Sequence, residues 1–308
     1  MYRTYVILRH TFFEAIVQPI YSLLLAIGVG ILTIFALLPF FTLGEDTIMF
    51  KAVGLDVILL LVLLATLFAT SKSIFDEIED RTMLTLMSKP VQKWQVLIGK
   101  YLGIILAALL AVVVLGAILC LATYLRIPAD YQLRTNTLDE RDVARLADYR
   151  AMHIAGLIPS LLLSWMQISV LAAIGVALST RFSLVVNLPT VIILYIAGNL
   201  TRFLFPINFG ANDAGTPLAD RSVIVKAFAY VLSLILPYLE TFDLRSLTVY
   251  SPIALAGTEF AANPQAVALS TIWGYFGIAL IYGIAYAAFA LGIGMWLFQT
   301  RELGGAEG

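Results

Sequence analysis

The residues best equipped for chemistry stand together in FDEIEDRTMLTLMSKPVQK, residues 75 to 93, where seven charged side chains and a proline interrupt two long apolar runs. Asp76, Glu77, Glu79 and Asp80 could in principle hold a hard cation. They have no histidine or cysteine beside them, and a solvated helix face accounts for four acids in five positions more simply. His10 and His153 are the only histidines. They are predicted on opposite sides of a membrane, so no histidine metal site or Ser–His pair forms within one chain. Cys120, in LGAILCLATYL, is the single cysteine and reads as a small buried hydrophobe. Gly99-Lys100-Tyr101 resembles a fragment of a phosphate-binding loop, but the earlier glycine and the following Ser or Thr are missing. The sequence therefore predicts no catalytic residue, no metal site, and no ATP hydrolysis by this chain.

Three conspicuous amides, Gln167, Asn187 and Asn199, fall inside apolar runs. They could touch a substrate on a translocation path, or bond one helix to another. Asn199-Leu200-Thr201 matches a glycosylation sequence and is discounted, because it lies in an apolar segment.

The elements that would carry these residues follow from composition. The chain has 308 residues, 61% of them hydrophobic and 13% charged, with mean hydropathy +0.94. A soluble core cannot hide so much apolar surface, so the fold is an all-α membrane protein. A net charge of −1 and a pI near 6.1 point away from nucleic acid. A bilayer core needs roughly 20 apolar residues in a helix. Runs at 20–41, 53–70, 101–125, 154–178 and 184–205 meet that need, and a sixth at 266–298 is longer than one upright span requires. The stretch 223–241, with Pro237, is short and reads as re-entrant or interfacial rather than as a seventh span.

All 308 residues thus read as one transmembrane domain. Arg3 and Arg9 precede the first span while Glu45 and Asp46 follow it, which favours a cytoplasmic N-terminus and, with six spans, a cytoplasmic C-terminus. The loop 126–153 then lies outside, and its TLDERDVARLADYRAMH reads as a short solvated helix with Thr137 and Glu140 at capping-box spacing. Gly99, Gly103, Ala107 and Ala111 in the third span, and Ala279, Gly283 and Ala287 in the sixth, form small-residue stripes. These suit close helix packing, within the subunit or across a dimer.

On a helical wheel over 74–88, Ile74, Phe75, Ile78, Thr82 and Leu86 share one face, with Asp76, Glu77 and Asp80 largely opposite. Lys89 suits a helix C-terminus and Pro90 ends the helix. Anionic headgroups repel the acids, so a protein partner with basic and apolar surface fits this helix better than lipid does.

The run E77-I-E-D-R-T-M-L-T-L-M-S-K-P-V-Q-K93, continuing to V96-L-I-G-K-Y-L-G103, resembles the cytoplasmic segment of exporter-type ABC transporter permeases. Glu77, Glu79, Thr82, Ser88, Pro90, Val91, Gly99, Lys100 and Gly103 fall on that family's pattern, and Arg81 departs from it, standing where glycine is common. The resemblance implies six spans and a cytoplasmic coupling helix at about 74–88 that docks on a separate ATPase subunit through Glu77, Glu79, Arg81, Thr82, Lys89 and Pro90. It also implies a second permease half, identical or different, a prokaryotic cytoplasmic membrane, and ATP bound by the partner, with no cofactor of the chain's own. Two other readings stay open: an ion-coupled secondary transporter, which the scarcity of acids in the spans disfavours, and a non-transporting membrane scaffold.

Overall fold

The computed structural model describes residues 2–38, 46–79, 92–134, 140–199, 236–255 and 264–300, with the backbone alone over 128–134 and 140–144. Nearly all of this is helix, as expected where no water is available to satisfy backbone N–H and C=O groups. α1 (Tyr2–Val17) and α2 (Pro19–Leu37) meet at Gln18, which is extended at φ −61, ψ 126. A residue before proline disfavours helical backbone, and Pro19 then serves as the first helical position. The chain turns there.

α3 (Asp46–Ser71) runs on through a π-helical turn (Lys72–Asp76) and a last turn (Glu77–Glu79), giving one rod from Asp46 to Glu79. The sequence placed a break between a span ending at 70 and a separate helix at 74–88. The described part of that helix, 74–79, instead continues the span, because no glycine or proline stands between Gly54 and Pro90. The π turn absorbs the change of helical phase, leaving Ile74 and Ile78 buried and Asp76 and Glu79 exposed. Arg81, Thr82, Lys89 and Pro90 lie outside the described residues.

α4 (Lys93–Arg134) and α5 (Glu140–Ser179) extend through most of the expected outer loop. The short helix expected at its end is the beginning of α5, since nothing from 140 to 158 breaks a helix. Pro159 sits inside α5 without ending it, as apolar surroundings permit when neighbouring groups satisfy the freed carbonyl. α6 (Leu184–Asn199), at 16 residues or about 24 Å, is shorter than the expected run to 205, whose last residues are not described. A 3-10 turn (Leu239–Phe242) covers the described end of the 223–241 segment and is followed by α7 (Arg245–Thr248). β1 (Ile253–Ala254) pairs in parallel with β2 (Val267–Ala268), which leads into α8 (Leu269–Gln299).

Among the described residues, five helices are long and apolar enough to cross a membrane: Pro19–Leu37, Asp46–Glu79, Lys93–Ile127, Arg145–Ser179 and Leu269–Gln299. α5 and α3 are the most buried and form the middle of the bundle, while α2 and α8 turn large apolar side chains outward. Trp273 and Trp296 are both exposed on α8 and stand about 35 Å apart along its axis at 1.5 Å per residue. That spacing matches two interfacial aromatic belts around a hydrocarbon core of about 30 Å. Trp94, also exposed, lies at the Trp296 level, because Lys93 Nζ reaches the Phe298 carbonyl at 3.3 Å.

Both small-residue stripes pack inside the subunit. A Cβ on Gly103 would meet the Leu8 carbonyl at 2.7 Å and Phe12 N at 3.0 Å, and one on Gly99 would meet Ile7 and the Thr4 carbonyl. Thus α1 lies directly on the start of α4. Further along, Tyr21 of α2 donates its hydroxyl to the Ala107 carbonyl at 2.9 Å. On α8, a Cβ at Gly283 would meet Met166 and one at Gly294 would meet Ala177, both on α5.

Candidate functional site

Charged side chains gather at the two ends of the bundle. At one end Lys100 is the centre. It sits between the two glycines that seat α1, and its side chain is 3% exposed. Its Nζ makes an ion pair of 2.6 Å with Glu77 and donates to the Ser73 carbonyl and, at 3.2 Å, to the Ser73 hydroxyl. A buried ammonium needs this saturation of its donors, since an unpaired charge there costs several kcal/mol, on the order of 3–5. The π turn brings Ser73 and Glu77 to the same side, so one lysine clasps the end of α3 to the start of α4. Glu14, on the inward side of α1, adds a second negative charge near Lys100.

Two further contacts close this end. Lys93 Nζ lies 3.3 and 3.4 Å from the last carbonyls of α8, at Phe298 and Gln299, where a cation complements the helix dipole. Arg181, beyond α5, donates to Thr300 Oγ1 at 2.7 Å. Asn187 lies deeper and is fully buried. Its Nδ2 is within 3.1 Å of Ser71 Oγ, 3.2 Å of the Gly175 carbonyl and 2.8 Å of Ser179 Oγ, so α3, α5 and α6 converge on it.

The opposite end is more open. Arg245 of α7 makes a two-pronged ion pair with Asp56 of α3, one arm at 2.9 Å, and its backbone N–H donates to Asp243 at 3.0 Å. The side chains of Arg245 and Asp56 are 25% and 44% exposed. Burial pulls the Arg245 pKa down, and the Asp56 hydrogen bond with the charges of Asp243 and Asp56 more than offsets it, so the guanidinium titrates above the ordinary arginine value. Beneath this pair runs a crevice lined by Ser160, Ser164, Gln167, Tyr195, Asn199 and Phe242. Gln167 Nε2 and Asn199 Oδ1 face each other at 3.4 Å, and Ser160 bonds Thr248 at 2.7 Å.

Two more junctions belong to the Arg245 end. Lys51 Nζ, completely buried, lies 2.7 Å from His153 Nδ1, joining α3 to α5. Arg126 of α4 donates to the Phe35 carbonyl at 2.9 Å, approaches Asp46 at 3.8 Å and lies over the Phe50 ring.

Of the docking residues predicted on the charged segment, Glu79 is exposed, whereas Glu77 is turned onto Lys100. Of the three amides, Gln167 and Asn199 share one crevice and Asn187 sits at the other end. Sequence reasoning missed Lys51, Lys100 and Arg245 as structural cations. Lys51 was placed before a span beginning at 53, but α3 starts at Asp46. Lys100 carried a usable signal, an isolated lysine flanked by small residues in an apolar run. Arg245 carried none, because its partner lies 189 positions away.

No curated protein matches the chain. Residues 33–303 match the family model described as ABC-2 family transporter protein. The match spans α3 to α8, the charged segment and both ionic ends, and so the chain belongs to the ABC-2 transporter family, the multi-pass membrane permease components of ABC transporters.

Proposed function

We propose that this permease is the membrane half of an exporter driven by a separate ATPase subunit, and that the segment from Lys72 onward is its point of attachment. The observation that carries the reading is the clasp at Lys100. The described part of the charged segment, 75–79, prolongs α3 without a break, and this end of the rod is tied through Ser73 and Glu77 to Lys100 at the start of α4. A push on Glu79 would be delivered to both spans at once. That is the requirement for coupling ATP-driven closure of a partner to a rigid-body tilt of helices.

On this reading the Lys100 end faces the cytoplasm of a prokaryotic cell and both termini lie on that side. The expected run at 184–205, of which α6 is the described part, then serves as the fifth of the six spans. Two permease halves, identical or different, work with two ATPases, which bind the ATP. Glu79, Arg81, Thr82, Lys89 and Pro90 form the docking surface, and Glu77 holds that surface in place. The Gln167–Asn199 crevice at the far end supports a polar station on the translocation path.

The test is co-purification with a partner ABC ATPase subunit. Charge reversal at Glu79 is expected to weaken association strongly while the permease still inserts into the membrane. Undiminished co-purification of Glu79→Lys would overturn the docking surface.

A further inference from the structure

Contacts between α5 and α8 set the depth of the crevice beneath Arg245. A Cβ on Gly283 would meet Met166 and one on Gly294 would meet Ala177, so the two helices advance in step and run side by side. The midpoint between the exposed Trp273 and Trp296 falls just past Gly283, and so opposite Gln167. Gln167 therefore stands near the middle of the hydrocarbon core. Ser164 and Ser160, on the same face of α5, lie about 4.5 and 10 Å nearer the Arg245 end at 1.5 Å per residue. On the other side of Gln167, Val170, Leu171, Ala172 and Ala173 are fully buried and close the crevice. It is a polar half-channel that opens beside the exposed Asp243 and ends at the bilayer centre.

Its floor holds an unused acceptor. Asn199 Nδ2 is committed to the Tyr195 carbonyl at 2.8 Å, so Asn199 Oδ1 is the atom that takes Gln167 Nε2, at 3.4 Å. This fixes the Gln167 amide. Gln167 is 5% exposed, and among the described residues its Oε1 accepts no hydrogen bond. An amide oxygen without a donor is strongly disfavoured at such a depth. Ser164 gives its own proton to the Ser160 carbonyl at 2.9 Å, which leaves its oxygen as a further acceptor, and Phe242 adds an apolar wall. The cavity volume is about 20 Å³, against roughly 10–15 Å³ for one water, so a single hydroxyl fits the crevice as it stands.

Charge narrows the ligand. Among the described residues, Asp243 and Arg245 are the only charged ones that line the crevice, and both keep contact with solvent. At the mouth Asp56 and Asp243 outnumber Arg245, which opposes an anion. A cation could pass that mouth, but the floor offers it no carboxylate, and an unpaired charge at the bilayer centre is costly. We infer that the crevice binds an uncharged, hydroxyl-bearing group, which donates to Gln167 Oε1 and Ser164 Oγ. That this group belongs to the cargo rests on the reading of the crevice as a station on the translocation path.

The experiment uses the full chain in nanodiscs and three photoreactive amphiphiles. All carry the same diazirine-bearing octyl chain, and their headgroups are glucoside, ammonium or sulfate. Cross-links to the crevice residues Leu55, Leu59 and Phe242 are divided by those to Ile278 and Ile281 on the exposed side of α8, which removes differences in partitioning. The glucoside ratio is expected to exceed the other two by about ten-fold. Gln167→Leu should lower it by about five-fold, and Ser164→Ala, the gentler change, by about two-fold. An ammonium or sulfate ratio equal to that of the glucoside would overturn the inference, as would an unchanged glucoside ratio in both variants. So would a crevice that no probe reaches, the result expected if water alone fills it. A glucoside preference that stays the same when the partner ATPase and ATP are added supports the site and counts instead against the translocation reading.

Discussion

Lys100 and Arg245 are both cations held by carboxylates, at opposite ends of one bundle, yet they are built for different tasks. Lys100 is almost sealed, and its donors go to one carboxylate and one backbone turn. Arg245 is a quarter exposed, its main partner is nearly half exposed, and a second carboxylate stands beside it. The sealed pair cannot exchange its partners for water without paying a large desolvation cost. The open pair can, because solvent already screens it. The difference teaches that the first end holds its partners away from water, while the second can exchange them for water.

The sharpest way to break this comparison is Glu77→Gln. It leaves the Lys100 ammonium buried without its counter-charge, and a loss of about 3–5 kcal/mol is expected in detergent-solubilised unfolding. Lys100→Met should cost clearly less, since Glu77 keeps 24% of its side chain in contact with solvent. Equal losses would show that Lys100 is wetter than its surroundings imply.

Next in size is Gly103→Val. Its branched side chain would collide with the Leu8 carbonyl and lift α1 off α4, at about 1–3 kcal/mol for overpacking. Deuterium exchange at the backbone amides of α1 should be faster in the variant than in the parent. Unchanged exchange would mean that α1 is seated elsewhere.

The smallest effect belongs to the other end. Asp56→Asn is expected to cost no more than about 1 kcal/mol, and the exchange Asp56→Arg/Arg245→Asp should recover part of it. A loss as large as that of Glu77→Gln would erase the distinction between the ends.

The apolar runs made the spans legible, because a 20-residue hydrophobic stretch has few fates other than crossing a bilayer. The start of α5 was not legible as part of a span: the alternating charges from Glu140 to Arg150 describe a solvated helix equally well, and only continuity with the apolar part joins them. The pattern Gly99-Lys100-x-x-Gly103 was visible, but its physical sense was hidden. The glycines make room for a helix almost a hundred residues earlier, and the lysine answers a glutamate on the preceding span. The exposed arginines of α1 suggested topology, while the nearness of Glu14 to Lys100 required the packed structure.

The most direct test of the account is which side of the membrane each end occupies. In a Cys120→Ala background, single cysteines at Glu79 and at Asp243 are exposed to a membrane-impermeant maleimide, in intact cells and in inverted vesicles. The account predicts that the Glu79 position reacts only in inverted vesicles and is shielded by the ATPase, while the Asp243 position reacts only in intact cells. Labelling of the Glu79 position from outside intact cells would contradict it.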